Sequence, residues 1–192
     1  MKNFIDLYIA ETIVTKGKFA KDEKALRAIE DAVDLIVTAY KKGNKLLIAG
    51  NGGSAADAQH IAGELVAKFL IDRPALNAIA LTTNTSIITS IGNDYSHEEI
   101  FARQLEAYAN TGDVYWAIST SGNSKNIIKS LEKAKEKSLK IIGLTGESQC
   151  LLDSYADVLI KVPSDKTPVI QESHIMIGHL ICALVEKTIF NK

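Results

Sequence analysis

The chain has 192 residues, 46% of them apolar, with 22 Lys and Arg against 23 Asp and Glu and only 3 prolines. That length and apolar content suffice to bury one sizeable core and exclude a disordered chain. A net charge of -1 excludes a general field that would draw the protein to nucleic acid or to an anionic membrane, so anionic partners must be held by local groups.

The first elements are helical. Residues from about 3 to 17 (Ile5, Tyr8, Ile9, Ile13) and from about 22 to 42 (Leu26, Ile29, Ala32, Val33, Ile36, Val37) space apolar side chains at helical intervals and predict two amphipathic helices. Acidic residues inside the N-terminal pattern, and no cleavage-site signature, argue against a signal peptide or a membrane span there. The period then changes. Short apolar runs of strand length occur at 45–50 (KLLIAG), 77–82 (NAIALT), 114–119 (VYWAIS), 140–145 (KIIGLT) and 157–162 (DVLIKV). Helical stretches lie near 54–69, 86–91, 97–110 and 124–137, and a last helix runs from about 169 to 190. Apolar strands alternating with helices predict an α/β fold with a five-stranded parallel sheet covered on both faces. No linker or repeat divides the chain, so residues 1–192 read as one domain: a helical segment at about 3–42 and an α/β core at about 45–192. Cys150 and Cys182 lie outside any CxxC pair, which points to a reducing, cytoplasmic setting.

Ligands of such sheets settle beyond the carboxyl ends of the strands, where strand order reverses. A flavodoxin-like order, 2-1-3-4-5, makes the first and third strands neighbours there, so the loops GNGGS (50–54) and STSGNS (119–124) would face one crevice. Gly50, Gly52 and Gly53 permit close backbone approach, and the helix start at Ser54 presents unpaired N–H groups and a positive dipole end. Ser119, Thr120, Ser121 and Ser124 add four hydroxyls around Gly122. A tight capped turn would explain either loop alone; the two together predict a phosphate site built from amides and hydroxyls. The lack of a GKS/T ending argues against a nucleotide loop.

His60 and Glu64 stand four apart and project from one helix face, about two turns below this cradle. Taken alone they read as a surface pair; beside a phosphate site they read as a metal or substrate site. On the last helix, Gln171, Glu172, His174 and His179 interrupt an apolar pattern. Gln171 and His179 are eight apart, roughly 12 Å along an ideal helix, so they converge only by leaning together or with help from a second chain. His174 reads as a satisfied structural histidine at the helix margin, His179 as functional.

The strings AGNGGSAADAQHIAGE, DRPALNAIALTTNTSIITSIGNDY (72–95), STSGNS and VPSDKTPVIQESH (162–174) followed by His179 resemble the phosphoheptose isomerases of the SIS (sugar isomerase) superfamily over nearly the whole chain. The resemblance implies a single-domain SIS fold and conversion of sedoheptulose 7-phosphate to D-glycero-D-manno-heptose 7-phosphate through an enediolate. The product would feed nucleotide-heptose synthesis for lipopolysaccharide or capsule. It implies substrate contacts at Asn51, Gly52, Gly53, Ser54, Glu64, Asn93, Asp94, Ser119, Thr120, Ser121, Ser124 and Gln171. It further implies a zinc ion on His60, Glu64, Gln171 and His179, and Glu64 and His179 as the acid/base pair. The family is a homotetramer with active sites between subunits, and nucleic acid and membranes are not among the implied partners. Two departures stand out: Val169 where many relatives have arginine, and TGESQC (145–150) where relatives often have a glycine pair. Three rival readings remain: a SIS-fold binding protein of the replication-initiator-associating type, a SIS protein for another sugar phosphate, and a zinc hydrolase. The first branch lacks the acid/base pair, the second is not separated by loops that recognise phosphate rather than carbon count, and the third suits the twin loops less well.

Overall fold

The computed structural model describes residues 1–190. Two helices, α1 (Lys2–Phe19) and α2 (Glu23–Lys41), precede β1 (Leu46–Gly50), α3 (Gly53–Val66), β2 (Ala78–Ala80), α4 (Thr85–Asp94) and α5 (Ala102–Tyr108). Then follow β3 (Val114–Ile118), α6 (Lys125–Glu136), β4 (Lys140–Thr145), β5 (Val158–Lys161) and α7 (Thr167–Phe190). The strands form one parallel sheet in the order β2-β1-β3-β4-β5, the order expected from the sequence. β1 and β3 are buried along their whole length because helices cover both faces, which is why they read as unbroken apolar runs rather than as alternation.

The pleat divides each strand between two cores. Leu46, Ile48, Trp116 and Ile118 pack with α2, α3 and α7, while Leu47, Ala49, Tyr115 and Ala117 pack with α5 and α6. α2 starts at Asp22, whose carboxylate accepts from the N–H groups of Lys24 (3.0 Å) and Ala25 (3.1 Å). Its buried stripe, Ile29, Ala32, Val33, Ile36 and Val37, follows the predicted period, and each fully buried valine or isoleucine contributes about 1.5–3 kcal/mol. α7 is long and apolar enough to cross a membrane by length and composition, but half of it is buried inside the fold against α2 and α3, as a core helix.

Several expectations are corrected. The stripe of α1 does not face the core: Ile5, Ile9 and Ile13 are 54%, 53% and 64% exposed, with Phe4 and Leu7 beside them, and only Thr15 and Phe19 are buried. Polar links fasten this helix instead, from Tyr8 Oη and Thr12 Oγ1 to the Glu172 carboxylate (3.2 Å each) and from Lys166 to Glu11. The single helix expected at 97–110 is broken into a 3-10 turn (His97–Glu99) and α5. Ile100, Phe101, Ala102, Gln104 and Leu105 are all buried, more than one face of a continuous helix can turn inward. α3 ends at Val66 rather than 69 because the Arg73 guanidinium takes the carbonyls of Glu64 (2.8 Å) and Leu65 (2.6 Å) in its last turn. β2 and β5, the two sheet edges, are shorter than expected, each having a partner on one side only.

Candidate active site

Pairing of β1 with β3 sets Gly50 opposite Ile118, so the chain leaves both strands side by side at their carboxyl ends. Asn51 and Asn126 join the two loops by a reciprocal amide pair, each Nδ2 donating to the other Oδ1 at 2.8 Å. The Asn51 side chain is therefore a brace between loops. Asn126, 3% exposed, was missed by sequence reasoning; a polar residue on the buried stripe of α6 beside Ile127 was the available signal.

Both helices that begin here lack a side-chain cap among the described residues. α3 is entered through Gly52 (φ 54°) and begins at Gly53, so Ser54 lies within the first turn, 6% exposed, rather than at the cap. α6 follows Ser124, whose hydroxyl lies 3.3 Å from Ser119 Oγ instead of closing on the helix. Ser119 Oγ accepts from the Gly122 N–H (3.1 Å), and Ser121 Oγ from the Asn123 N–H (3.2 Å). The Thr120 carbonyl is held by the Gly146 N–H (3.1 Å). Gly122 has φ 64°, and a Cβ there would collide with Cys150 Sγ, so the loop turns as it does only with glycine. Two free helix starts of like polarity thus open at the ends of neighbouring strands, a setting for an anion.

Asn93 and Asp94 close α4 at the surface, where Asn93 Nδ2 donates to Asp94 Oδ1 (2.8 Å); no hydrogen bond among the described residues ties them to either loop. The next residue, Tyr95, carries the Arg103 guanidinium 4.1 Å above its ring.

α3 and α7 pack closely at Ile61 and Gly178, which sets His60 beside His179. Their Nε2 atoms are 2.8 Å apart, and His60 Nε2 lies 3.1 Å from Glu64 Oε1. The three ligand atoms fall within 4.8 Å of one another. The Phe69 ring stacks on that of His179 (centroids 5.5 Å, interplanar 17°). Two imidazole nitrogens and a carboxylate oxygen this close together suit a borderline cation such as zinc.

Gln171 is not in this group within the chain. Its amide lies against Gly53, in the first turn of α3, and beside Asp57. Asp57 is 5% exposed, and its Oδ2 is buried without a partner among the described residues. Burial pushes its carboxyl up to about 6, with the Gln171 amide and His60 drawing it partly back. His174 is not at a margin: it is fully buried, with Nε2 3.3 Å from the Thr145 carbonyl and Nδ1 unpartnered among the described residues. Burial lowers its pKa to about 4, against the weaker pull of that carbonyl. Val169, in place of the frequent arginine, is 1% exposed and packs as an apolar residue.

The SIS domain family model matches residues 8–146. The chain is 54% identical over 192 residues to phosphoheptose isomerase 2 of Campylobacter jejuni, covering 100% of this chain and 96% of the relative. The chain belongs to the phosphoheptose isomerase family of SIS domain proteins. A phosphoheptose isomerase of Aneurinibacillus thermoaerophilus is 55% identical, covering 99% of this chain and 96% of that one. The structure of phosphoheptose isomerase from Neisseria gonorrhoeae superimposes with a TM-score of 0.91 at 37% identity, covering 97% of this chain and 98% of that one. The family is one of aldose-ketose isomerases, which fits a site that combines an anion cradle with a carboxylate and two imidazoles.

Proposed function

We propose that the protein interconverts sedoheptulose 7-phosphate and D-glycero-D-manno-heptose 7-phosphate in the cytoplasm, supplying heptose for lipopolysaccharide or capsule. The observation that carries this reading is the gathering of Glu64 with His60 and His179 on α3 and α7, in a chain where the uncapped starts of α3 and α6 open side by side at the ends of β1 and β3. The phosphate is held at the starts of α3 and α6 by main-chain N–H groups and by the hydroxyls of Ser54, Ser119, Thr120, Ser121 and Ser124. Glu64 stands about 16 Å along α3 from Gly53, farther than a seven-carbon phosphate extends, so in this reading the carboxylate that meets an anchored ligand comes from a neighbouring subunit.

Glu64 removes a proton from C1 of the ketose and returns it to C2, and His179 carries the proton between the two oxygens. Main-chain dipoles and the imidazoles stabilise the enediolate between these steps. A zinc ion would be held by His60, Glu64 and His179, with Gln171 as a further ligand, and would supply polarisation of the substrate carbonyl. Gln171 lies at the other end of the cradle in the single chain. Its participation is therefore tied to a homotetramer with sites between subunits, and the exposed apolar face of α1 supports association of this kind.

The test is NMR of the reaction in deuterated water with sedoheptulose 7-phosphate, using metal-stripped and zinc-restored protein. Aldose product bearing deuterium at C2 is the expected result, and comparison of the two preparations assigns the role of zinc. Folded protein that yields neither exchange nor product in either preparation refutes the assignment.

A further inference from the structure

Behind the candidate site lies a buried ion pair that the proposed proton transfers do not use. The side chains of Arg73 and Glu186 are 1% and 2% exposed, and Arg73 Nε donates to Glu186 Oε1 at 2.8 Å. Desolvating two charges is unfavourable enough that such a pair need not raise stability above that of an apolar substitute. Its neighbours say what it does.

The Glu186 carboxylate accepts the N–H groups of Phe69 and Leu70, one on each oxygen, at 2.9 Å. The guanidinium donates to the carbonyls of Glu64 (2.8 Å), Leu65 (2.6 Å) and Pro74 (3.1 Å). All these partners belong to the last turn of α3 or to the segment that follows it. Glu64 is the residue whose main chain is gripped, and Phe69 is the residue whose ring stacks on His179. Glu186 and His179 ride on the same helix, α7. The pair therefore connects the end of α3 to α7 at two points that flank the carboxylate and the imidazole. Lysine cannot replace the arginine in this role, since one ammonium group does not present a rigid fork to several acceptors.

We propose that Arg73 and Glu186 form a positioning device for the Glu64–His179 pair, with Phe69 as its contact to the imidazole. This rests on the reading of Glu64 and His179 as the proton-transfer groups. Arg73 touches no reacting atom; it acts by fixing the separation of two groups that do.

The test uses the full-length chain and three variants, Arg73→Lys, Glu186→Gln and Phe69→Leu, the last of which leaves the ion pair intact. Thermal melts first establish which variants are folded. Steady-state isomerisation of sedoheptulose 7-phosphate is then measured together with the proton resonances of the His179 ring, assigned by their loss in His179→Gln. In the folded variants kcat should fall by about 10- to 100-fold. KM should stay within about twofold, because the pair makes no contact with either phosphate loop. The His179 resonances should move in all three as the stacked ring shifts. Unchanged kcat with lowered melting temperature, or unmoved His179 resonances, would show a purely structural pair and overturn the proposal. If Arg73→Lys does not fold, Glu186→Gln and Phe69→Leu decide by the same criteria. If the unmodified protein turns over no ketose phosphate, the functional reading fails, while the ring resonances still decide whether the pair positions His179.

Discussion

His174 offers a test of the interior in which the magnitude follows from the structure. The imidazole is fully buried in α7, and burial lowers its pKa from 6.5 to about 4. Between those values the unfolded chain binds a proton that the folded chain refuses, so stability is fully present above 6.5 and falls as pH drops toward 4. Integrating over that window gives a loss of about 3 kcal/mol by pH 4. His174→Gln titrates nowhere and removes this contribution. Carboxylates held low in the fold, such as Asp157 and Glu186, also weaken the protein in acid, but they are common to both proteins and cancel in the difference. The assay is urea denaturation of both proteins at one fixed protein concentration, at about pH 7.5 and about pH 4. The stability advantage of the unmodified protein over the variant should shrink, or reverse, by about 3 kcal/mol on acidification. A difference that stays within about 0.5 kcal/mol across that range would refute the claim that the folded state keeps this imidazole neutral.

Glu64→Gln should reduce turnover by at least about a thousandfold while binding of the sugar phosphate, measured by calorimetry, changes little; loss of binding alongside turnover would count against a role confined to proton transfer. Gly122→Ala forces a side chain into a left-handed conformation and against Cys150, and should raise KM with a loss of about 1–3 kcal/mol in stability, measured by kinetics and melts. Asn126→Leu leaves the Asn51 amide unpaired and should cost about 1–3 kcal/mol in denaturation, with weaker phosphate binding. His60→Asn should lower zinc affinity by more than about tenfold in competition with a chromophoric chelator, whereas His174→Gln should leave it unaltered.

The five strands and their order were legible because strands buried on both faces concentrate apolar residues into short uninterrupted runs. The juxtaposition of the two loops was legible for a related reason: glycines and hydroxyls in a cluster stand out against the apolar runs that precede them, and the strand order makes those strand ends neighbours. The orientation of α1 was not, since helical spacing of Ile5, Ile9 and Ile13 reveals a stripe but not which surface covers it. His174 carried a signal that was read too lightly. It stands four residues after Ile170 and three before Ile177, which places it on the buried face of α7. Asp57 and Asn126 escaped notice because their importance lies in partners distant in sequence, Gln171 and Asn51. Arg73 sits in an irregular segment without period, and only its four hydrogen-bonded acceptors, brought together by folding, show its place.

The clasp between the loops is made of two neutral amides. Neither gains or loses a proton in the range where enzymes work, and neither depends on an ionic atmosphere for its strength. The contact between the two loops is thereby decoupled from acidity and salt. A change of turnover with pH in this protein would then arise from groups other than the clasp, among them the buried Asp57 carboxyl beside Gln171.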